Sequence, residues 1–161
     1  MRIAFLALVL FATIGANHAA PFKVPIEGTP GFVLTLDREY SGLELSATDP
    51  ANKKNMRVFM FAPSDEQSSV IFSIGPDVEG DTEASIKAKD ASAKVTKAEG
   101  RINKKKVQWL RWEDAKHLYS SCTVTLPDNA GTEHKISIWL IANTSERVAA
   151  LEAAFSTIVF Q

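Results

Sequence analysis

Apolar residues recur at every second position over much of this chain, and this alternation limits the fold more than any other feature. Phe32, Leu34 and Leu36 are spaced in this way, and Val124 and Leu126 repeat the spacing later in the chain. A period of two is typical of a β-strand with one buried face, because successive side chains point to opposite faces of a sheet. The pattern therefore predicts a fold built on a β-sheet.

Turn-forming residues separate the alternating segments, so the strands are predicted to pair as antiparallel neighbours. The first two strands are predicted to form a hairpin across Tyr40-Ser41-Gly42, and Asn103-Lys104-Lys105 is predicted to be the tight turn of another. The predicted strands lie at residues 32–37, 43–47, 56–61, 69–74, 95–102, 106–113, 119–126 and 134–142.

Two segments carry helical signals instead. Residues 80–97 are rich in Ala, Lys, Asp and Glu, with Asp81 or Thr82 as the predicted N-cap. Asn143 is the predicted N-cap of a last helix, in which four apolar residues recur at helical spacing: Val148, Leu151, Phe155 and Ile158. This order predicts an α+β fold, an antiparallel β-sheet covered by helices (an α/β sandwich) with a C-terminal amphipathic helix.

Residues 1–20 have the three-part pattern of a secretory signal peptide. Arg2 precedes an apolar run, and small residues follow it, with cleavage predicted after Ala19 or Ala20. The run is shorter than the roughly 20 apolar residues of a spanning helix, and no longer run follows, so no transmembrane anchor is predicted. The sequence therefore predicts an exported protein of the periplasm or the extracellular space.

Residues 21–161 are predicted to form a single domain, which begins with an irregular proline-rich arm at 21–30. The chain has one cysteine, Cys122, so no intramolecular disulfide can form and stability rests on the core. The formal net charge of −1 provides no general attraction to nucleic acid, and none is predicted as a partner.

No residue pattern in the chain supports catalysis, a metal or a cofactor. Outside the signal segment the only histidines are His117 and His134, and neither has the spacing of a zinc site. His117 lies five residues before Cys122, so a Cys-His nucleophile is conceivable. Cys122 shares a strand face with Val124 and Leu126, however, which favours a role as a small core residue. No catalytic residue is assigned.

The candidate binding residues are aromatic and basic. Trp109 and Trp112 are three positions apart on one predicted strand and so point to opposite faces. Two outcomes are open for these residues and Trp139: at least one of the three is an exposed anchor, or helices bury all three. Basic residues surround this strand, and together they would suit an acidic protein, a polyanion or a glycan. The predicted site comprises Arg101, Lys104, Lys105, Lys106, Trp109, Arg111 and Trp112.

The segments RINKKKVQWLRWE and ISIWLIANTSERVAALEAAFSTIVF resemble the PsbP-like superfamily of α/β sandwiches, and the resemblance in element order covers most of residues 21–161. Members of that group are largely binding or accessory proteins with no shared catalytic constellation. The resemblance therefore implies an exported, non-catalytic binding or accessory protein, predicted to be a monomer. A small extracytoplasmic enzyme centred on His117 and an inhibitor or immunity-type protein remain alternatives.

Overall fold

The structure of the protein is a computed structural model that describes residues 20–24, 32–36, 40–44, 56–63 and 67–160. The predicted signal segment before Ala20 and the second part of the predicted arm lie outside these ranges. The elements are β1 (Ala20–Val24), β2 (Phe32–Leu36), β3 (Ser41–Glu44), β4 (Arg57–Ala62), β5 (Ser68–Ile74), α1 (Glu83–Lys89), β6 (Thr96–Ile102), β7 (Lys105–Glu113), β8 (Leu118–Pro127), β9 (Glu133–Ala142), α2 (Ser145–Phe155) and β10 (Val159–Phe160). The fold is α+β, as predicted.

Seven strands form one antiparallel sheet in the order β3-β4-β5-β9-β8-β7-β6, and β1, β2 and β10 form a smaller one. Residues opposite each other in an antiparallel pair share a face of the sheet. Cys122 lies opposite Ile138, which lies opposite Phe72, so these three mark one face, here called the α2 face. Ser121 lies opposite Trp139, and these two mark the other, here called the α1 face.

Helix α2 packs on the α2 face, and Leu34 and Leu36 of the small sheet belong to the same core cluster. The helix contacts β2, β8 and β9, and it places Leu151 and Phe155 in the main core, while its Val148 is buried outside that cluster. Its N-cap is Thr144, whose hydroxyl accepts a hydrogen bond from the backbone N–H of Arg147 at 3.2 Å. The prediction of Asn143 as the cap is therefore wrong by one residue, since Thr144 is the last residue in extended conformation and lies three positions before the donor.

Helix α1 is much shorter than the predicted segment of residues 80–97. It begins after Thr82, which forms a capping box with Ser85: Ser85 N–H donates to Thr82 Oγ1 at 3.0 Å, and Thr82 N–H donates to Ser85 Oγ at 2.9 Å. It ends before Asp90, whose carboxylate accepts hydrogen bonds from the N–H and hydroxyl of Ser92. This local turn competes with further helix. Of the helix residues only Ile86 is buried.

Two predictions about the N-terminal part of the chain are wrong. Pro21 was expected in an irregular arm, but it lies in strand β1, opposite Thr35. Because β1 is an edge strand, it tolerates a residue without an N–H donor. The predicted hairpin of β2 with β3 does not form: β2 pairs with β1 and β10, and β3 pairs with β4. Alternation specifies which side chains are buried, but it does not specify the partner strand.

Strand β4 lies inside the large sheet between β3 and β5, as its two apolar faces predicted. In the part of the chain that the structure describes, no helix combines the length and the apolar character that crossing a membrane requires.

Candidate functional site

The predicted basic cluster lies at the tip of the β6–β7 hairpin. Asn103 and Lys104 have φ angles of 43° and 66°, the left-handed geometry that a tight two-residue hairpin turn requires. Lys105 belongs to β7, and its Nζ donates to the carbonyl oxygen of Thr125 at 2.6 Å. Four basic side chains are exposed at this tip, those of Arg101, Lys104, Lys105 and Lys106. A groove of about 650 Å³ beside them is lined by Arg101, Lys106 and other residues of the two strands.

Trp109 is part of the core and lies away from these charges. Its exposed fraction is 2%, and it belongs to the same cluster of buried residues as Cys122 and Phe155. The ring packs across β6, where a Cβ on Gly100 would lie 2.6 Å from its Nε1. Trp109 is therefore excluded from a surface site, which corrects its inclusion among the binding residues.

Arg111 also faces α2, where it joins the helix to the sheet. Its guanidinium donates to the two carboxylate oxygens of Glu152 at 2.8 and 2.5 Å, and the Ser120 hydroxyl donates to Glu152 at 2.7 Å. The hydrogen bond to Glu152 raises the pKa of Arg111. The guanidinium is thus engaged in an internal contact, although part of the side chain lines a cavity.

Trp112 is on the opposite face, toward the far end of β7. It lies seven positions after Lys105, which corresponds to about 24 Å along a strand. The predicted site residues therefore lie in three places: the hairpin tip, the α2 face with Trp109 and Arg111, and the α1 face with Trp112.

Trp112 instead meets two aromatic residues of the next two strands in the sheet, β8 and β9. Tyr119 of β8 lies opposite it and stacks on its ring, with centroids 5.2 Å apart and planes 10° apart. Trp139 of β9 approaches it at 5.5 Å with planes at 84°. All three rings are half-buried. They line a cavity of about 230 Å³, here called the aromatic cleft, whose other lining residues are Ile86, Lys89, Asp90 and Asp114.

Asp114 fixes one wall of the aromatic cleft. Its Oδ2 accepts a hydrogen bond from the Tyr119 hydroxyl at 2.6 Å, and its Oδ1 accepts from the backbone N–H groups of Lys116 and His117. These bonds, that from Tyr119 foremost, lower the pKa of Asp114 to about 2. The same bond raises the pKa of Tyr119 to about 12. At neutral pH the cleft therefore contains an ionised carboxylate and a neutral phenol.

Helix α1 places one cation and one further carboxylate at the aromatic cleft. The Lys89 ammonium lies 5.0 Å from the centroid of the Trp139 ring and 3.7 Å from Asp81 Oδ1. The hydrogen bond from the Ser92 hydroxyl is the main cause of the lowered pKa of Asp90, and the charge of Asp114 acts in the opposite direction. The two cleft carboxylates are thus within electrostatic reach of each other.

A second cavity, of about 320 Å³, also adjoins Trp112 and Tyr119. Its other lining residues include Lys94, Leu118 and Val148. The Trp112–Tyr119 pair therefore lines two concave surfaces at the same end of the sheet.

The conceivable Cys-His pair does not come together. Cys122 is buried on the α2 face, and burial, with a smaller effect of Glu152, raises the pKa of its thiol far above the ordinary value. His117 is exposed, five residues away along the chain, with its ring 6.1 Å from that of Tyr119. Among the residues that the structure describes, no three His, Cys, Asp or Glu side chains are grouped to hold a metal ion.

The sequence indicated only one of the three rings of the aromatic cleft as a site residue. Alternation along each strand predicts the face of the sheet to which Trp112 and Trp139 point. The proximity of the two rings depends instead on the register of β7, β8 and β9. Lys89 and Asp90 belong to the cleft because α1 crosses this face of the sheet. Neither the register nor the crossing leaves a local signal in the sequence.

Comparison of the chain with protein-family models, with curated proteins and with solved structures finds no match.

Proposed function

We propose that this chain is an exported, non-catalytic binding or accessory protein whose binding site is the aromatic cleft. The observation that carries the proposal is that three half-buried aromatic side chains, Trp112, Tyr119 and Trp139, line one cavity of about 230 Å³. Aromatic rings with an apolar body and an accessible edge are typical of binding surfaces.

The size of the aromatic cleft limits its occupant. Sites for drug-sized molecules measure roughly 300–1,000 Å³, and this cleft is smaller. It therefore suits a small organic group, either a free molecule or one side chain of a larger partner.

The groups around the cleft favour binding over catalysis. The Asp114 carboxylate accepts three hydrogen bonds, and its lowered pKa makes it a poor proton acceptor at neutral pH. The chain's single thiol is buried on the other face of the sheet. Export rests on the signal-type N-terminal segment, and the proposed architecture is an α/β sandwich of the PsbP-like kind, with α1 and α2 covering opposite faces.

Nuclear magnetic resonance of the three tryptophan indole N–H groups tests the site. We expect one class in a panel of small organic cations, sugars, carboxylates and apolar alcohols to shift the signals of Trp112 and Trp139. The Trp109 signal is the internal control, since that ring is buried on the other face. The proposal is wrong if no class shifts the signals of Trp112 and Trp139.

A further inference from the structure

We infer that the ligand of the aromatic cleft is an organic cation, a quaternary ammonium group or a cationic side chain, which takes the position of Lys89 over Trp139. The inference rests on the proposed function of the cleft and specifies its ligand class. Three observations carry it: the place of the Lys89 ammonium, the charges that line the cleft, and the exposure of the Lys89 side chain.

The chain itself places a cation on the Trp139 ring. The Lys89 ammonium is 5.0 Å from the ring centroid, within the distance at which the negative face of an aromatic ring attracts a cation. Tryptophan is the strongest of the aromatic side chains in this interaction. A quaternary ammonium ion bound there would keep the attraction and add apolar contact with the neighbouring Trp112 and Ile86.

The charges of the cleft favour a cation over the other ligand classes. Of the described residues that line it, Asp90 and Asp114 carry carboxylates and Lys89 alone is cationic. An anion would therefore face a net negative wall, and a neutral sugar would gain no charge interaction. Displacing Lys89 would leave two carboxylates beside the ligand, which increases the attraction for an incoming cation.

The Lys89 side chain acts as an intramolecular competitor because its ammonium is accessible and makes no hydrogen bond with Asp81. It is 66% exposed, whereas the Asp81 side chain is 7% exposed, and the two charged atoms lie 3.7 Å apart. This separation is longer than a hydrogen bond, so no directional bond holds the ammonium in place. Lys87, two residues earlier on the same helix, is instead paired with Glu83 at 2.7 Å and is not among the cleft residues. Removing either ammonium changes the net charge equally, but only Lys89 occupies the Trp139 ring.

The test compares choline with its uncharged isostere, an alcohol in which a tert-butyl group replaces the trimethylammonium group. Binding is followed by the indole N–H signals of Trp112 and Trp139. We expect choline to bind about tenfold more tightly than the isostere, because the two differ in charge at nearly equal size. Equal affinities would overturn the cation inference but leave the aromatic cleft as a binding site. If neither compound nor any other class shifts these signals, the proposed function itself fails.

Two variants identify the competitor. Lys89→Gln is expected to increase the affinity for choline about threefold or more, since it vacates the Trp139 ring, whereas Lys87→Gln is expected to leave the affinity unchanged. Equal increases in both variants would show a general charge effect and contradict the inference. Both lysines are exposed, but Lys89→Gln also removes the ion-pair partner of the buried Asp81 side chain. The Trp109 indole signal therefore checks that each variant is folded.

The source of the cation is distinguished with a second pair of probes. Ethylguanidinium and butylammonium imitate the side chains of arginine and lysine. If choline binds more tightly than both analogues, the ligand is a free quaternary ammonium compound. If either analogue binds more tightly than choline, the ligand is a cationic side chain of a protein partner.

Discussion

The two faces of the large sheet differ in the helix that lies nearest to each and in how far their side chains are buried. On the α2 face, an eleven-residue helix buries Leu151 and Phe155 in one cluster with residues of the sheet. On the α1 face, a seven-residue helix buries only Ile86, together with Leu110 below it. The aromatic rings that α1 leaves half-buried form the aromatic cleft. In this molecule the longer helix contributes to the main core, while the shorter one leaves a concave aromatic surface on the other face.

Strand β7 tests this difference most strongly, because it presents one tryptophan to each face. Trp109→Ala should lower the free energy of unfolding by about 3–5 kcal/mol, the usual cost of removing a large buried ring. Trp112→Ala should lower it by about 1–2 kcal/mol, since part of that ring is already in contact with water. Urea denaturation of both variants measures the two values. Equal losses would mean that the α1 face is as tightly packed as the α2 face.

Neighbouring serines on β8 test the polar side of the comparison. Ser120 is buried on the α2 face and donates to Glu152, whereas the Ser121 hydroxyl is buried on the α1 face with no hydrogen-bond partner among the described residues. Ser120→Ala should therefore lower the free energy of unfolding by about 1–2 kcal/mol. Ser121→Ala should leave the free energy of unfolding unchanged or raise it by up to about 1 kcal/mol, because the variant no longer buries a hydroxyl group that lacks a hydrogen-bond partner.

The decisive observation is the direction in which each substitution changes the free energy of unfolding. Urea denaturation midpoints of the two variants and the wild type, measured at one pH, show it. A loss of stability in Ser121→Ala as large as that in Ser120→Ala would contradict the description of the α1 face.

The smallest expected effect concerns the Asp114–Tyr119 hydrogen bond at the aromatic cleft. The pKa of Asp114 falls from 3.8 to about 2 on folding, so its carboxylate stabilises the fold above its unfolded pKa, and this contribution is lost as the pH falls through about 2. The pKa of Tyr119 rises from 10.0 to about 12, so the phenol's contribution is present below pH 10 and is lost as the pH rises through about 12.

Asp114→Asn should be less stable than the wild type at neutral pH, and the difference should disappear as the pH falls through about 2. The same substitution should bring the pKa of Tyr119 back toward 10.0. Thermal unfolding at several pH values and the absorbance of the tyrosinate ion measure the two effects, with Tyr119→Phe identifying its signal against that of Tyr40. An unchanged Tyr119 titration in Asp114→Asn would show that the hydrogen bond does not set its pKa.

Several elements could be predicted from the sequence because their signals are local. The alternation around Trp109 and Cys122 indicated which side chains point to one face, and both are buried there. The interior position of β4 followed from its two apolar faces. The partner of β2 could not be predicted in this way, since it pairs with residues at the far end of the chain. The length of α1 was overestimated because the Asp90–Ser92 turn competes with a helix of similar composition.

The sequence by itself determined the α+β class, the antiparallel strands and the faces of the tryptophans, because the period of apolar residues follows directly from backbone geometry. Only the tertiary structure decided which tryptophan is buried and which lines a cavity. That outcome depends on the register that brings Trp112, Tyr119 and Trp139 together, and on the place where a short helix crosses the sheet. Both are set by contacts between residues distant in the chain, and alternation along a single strand contains no record of them.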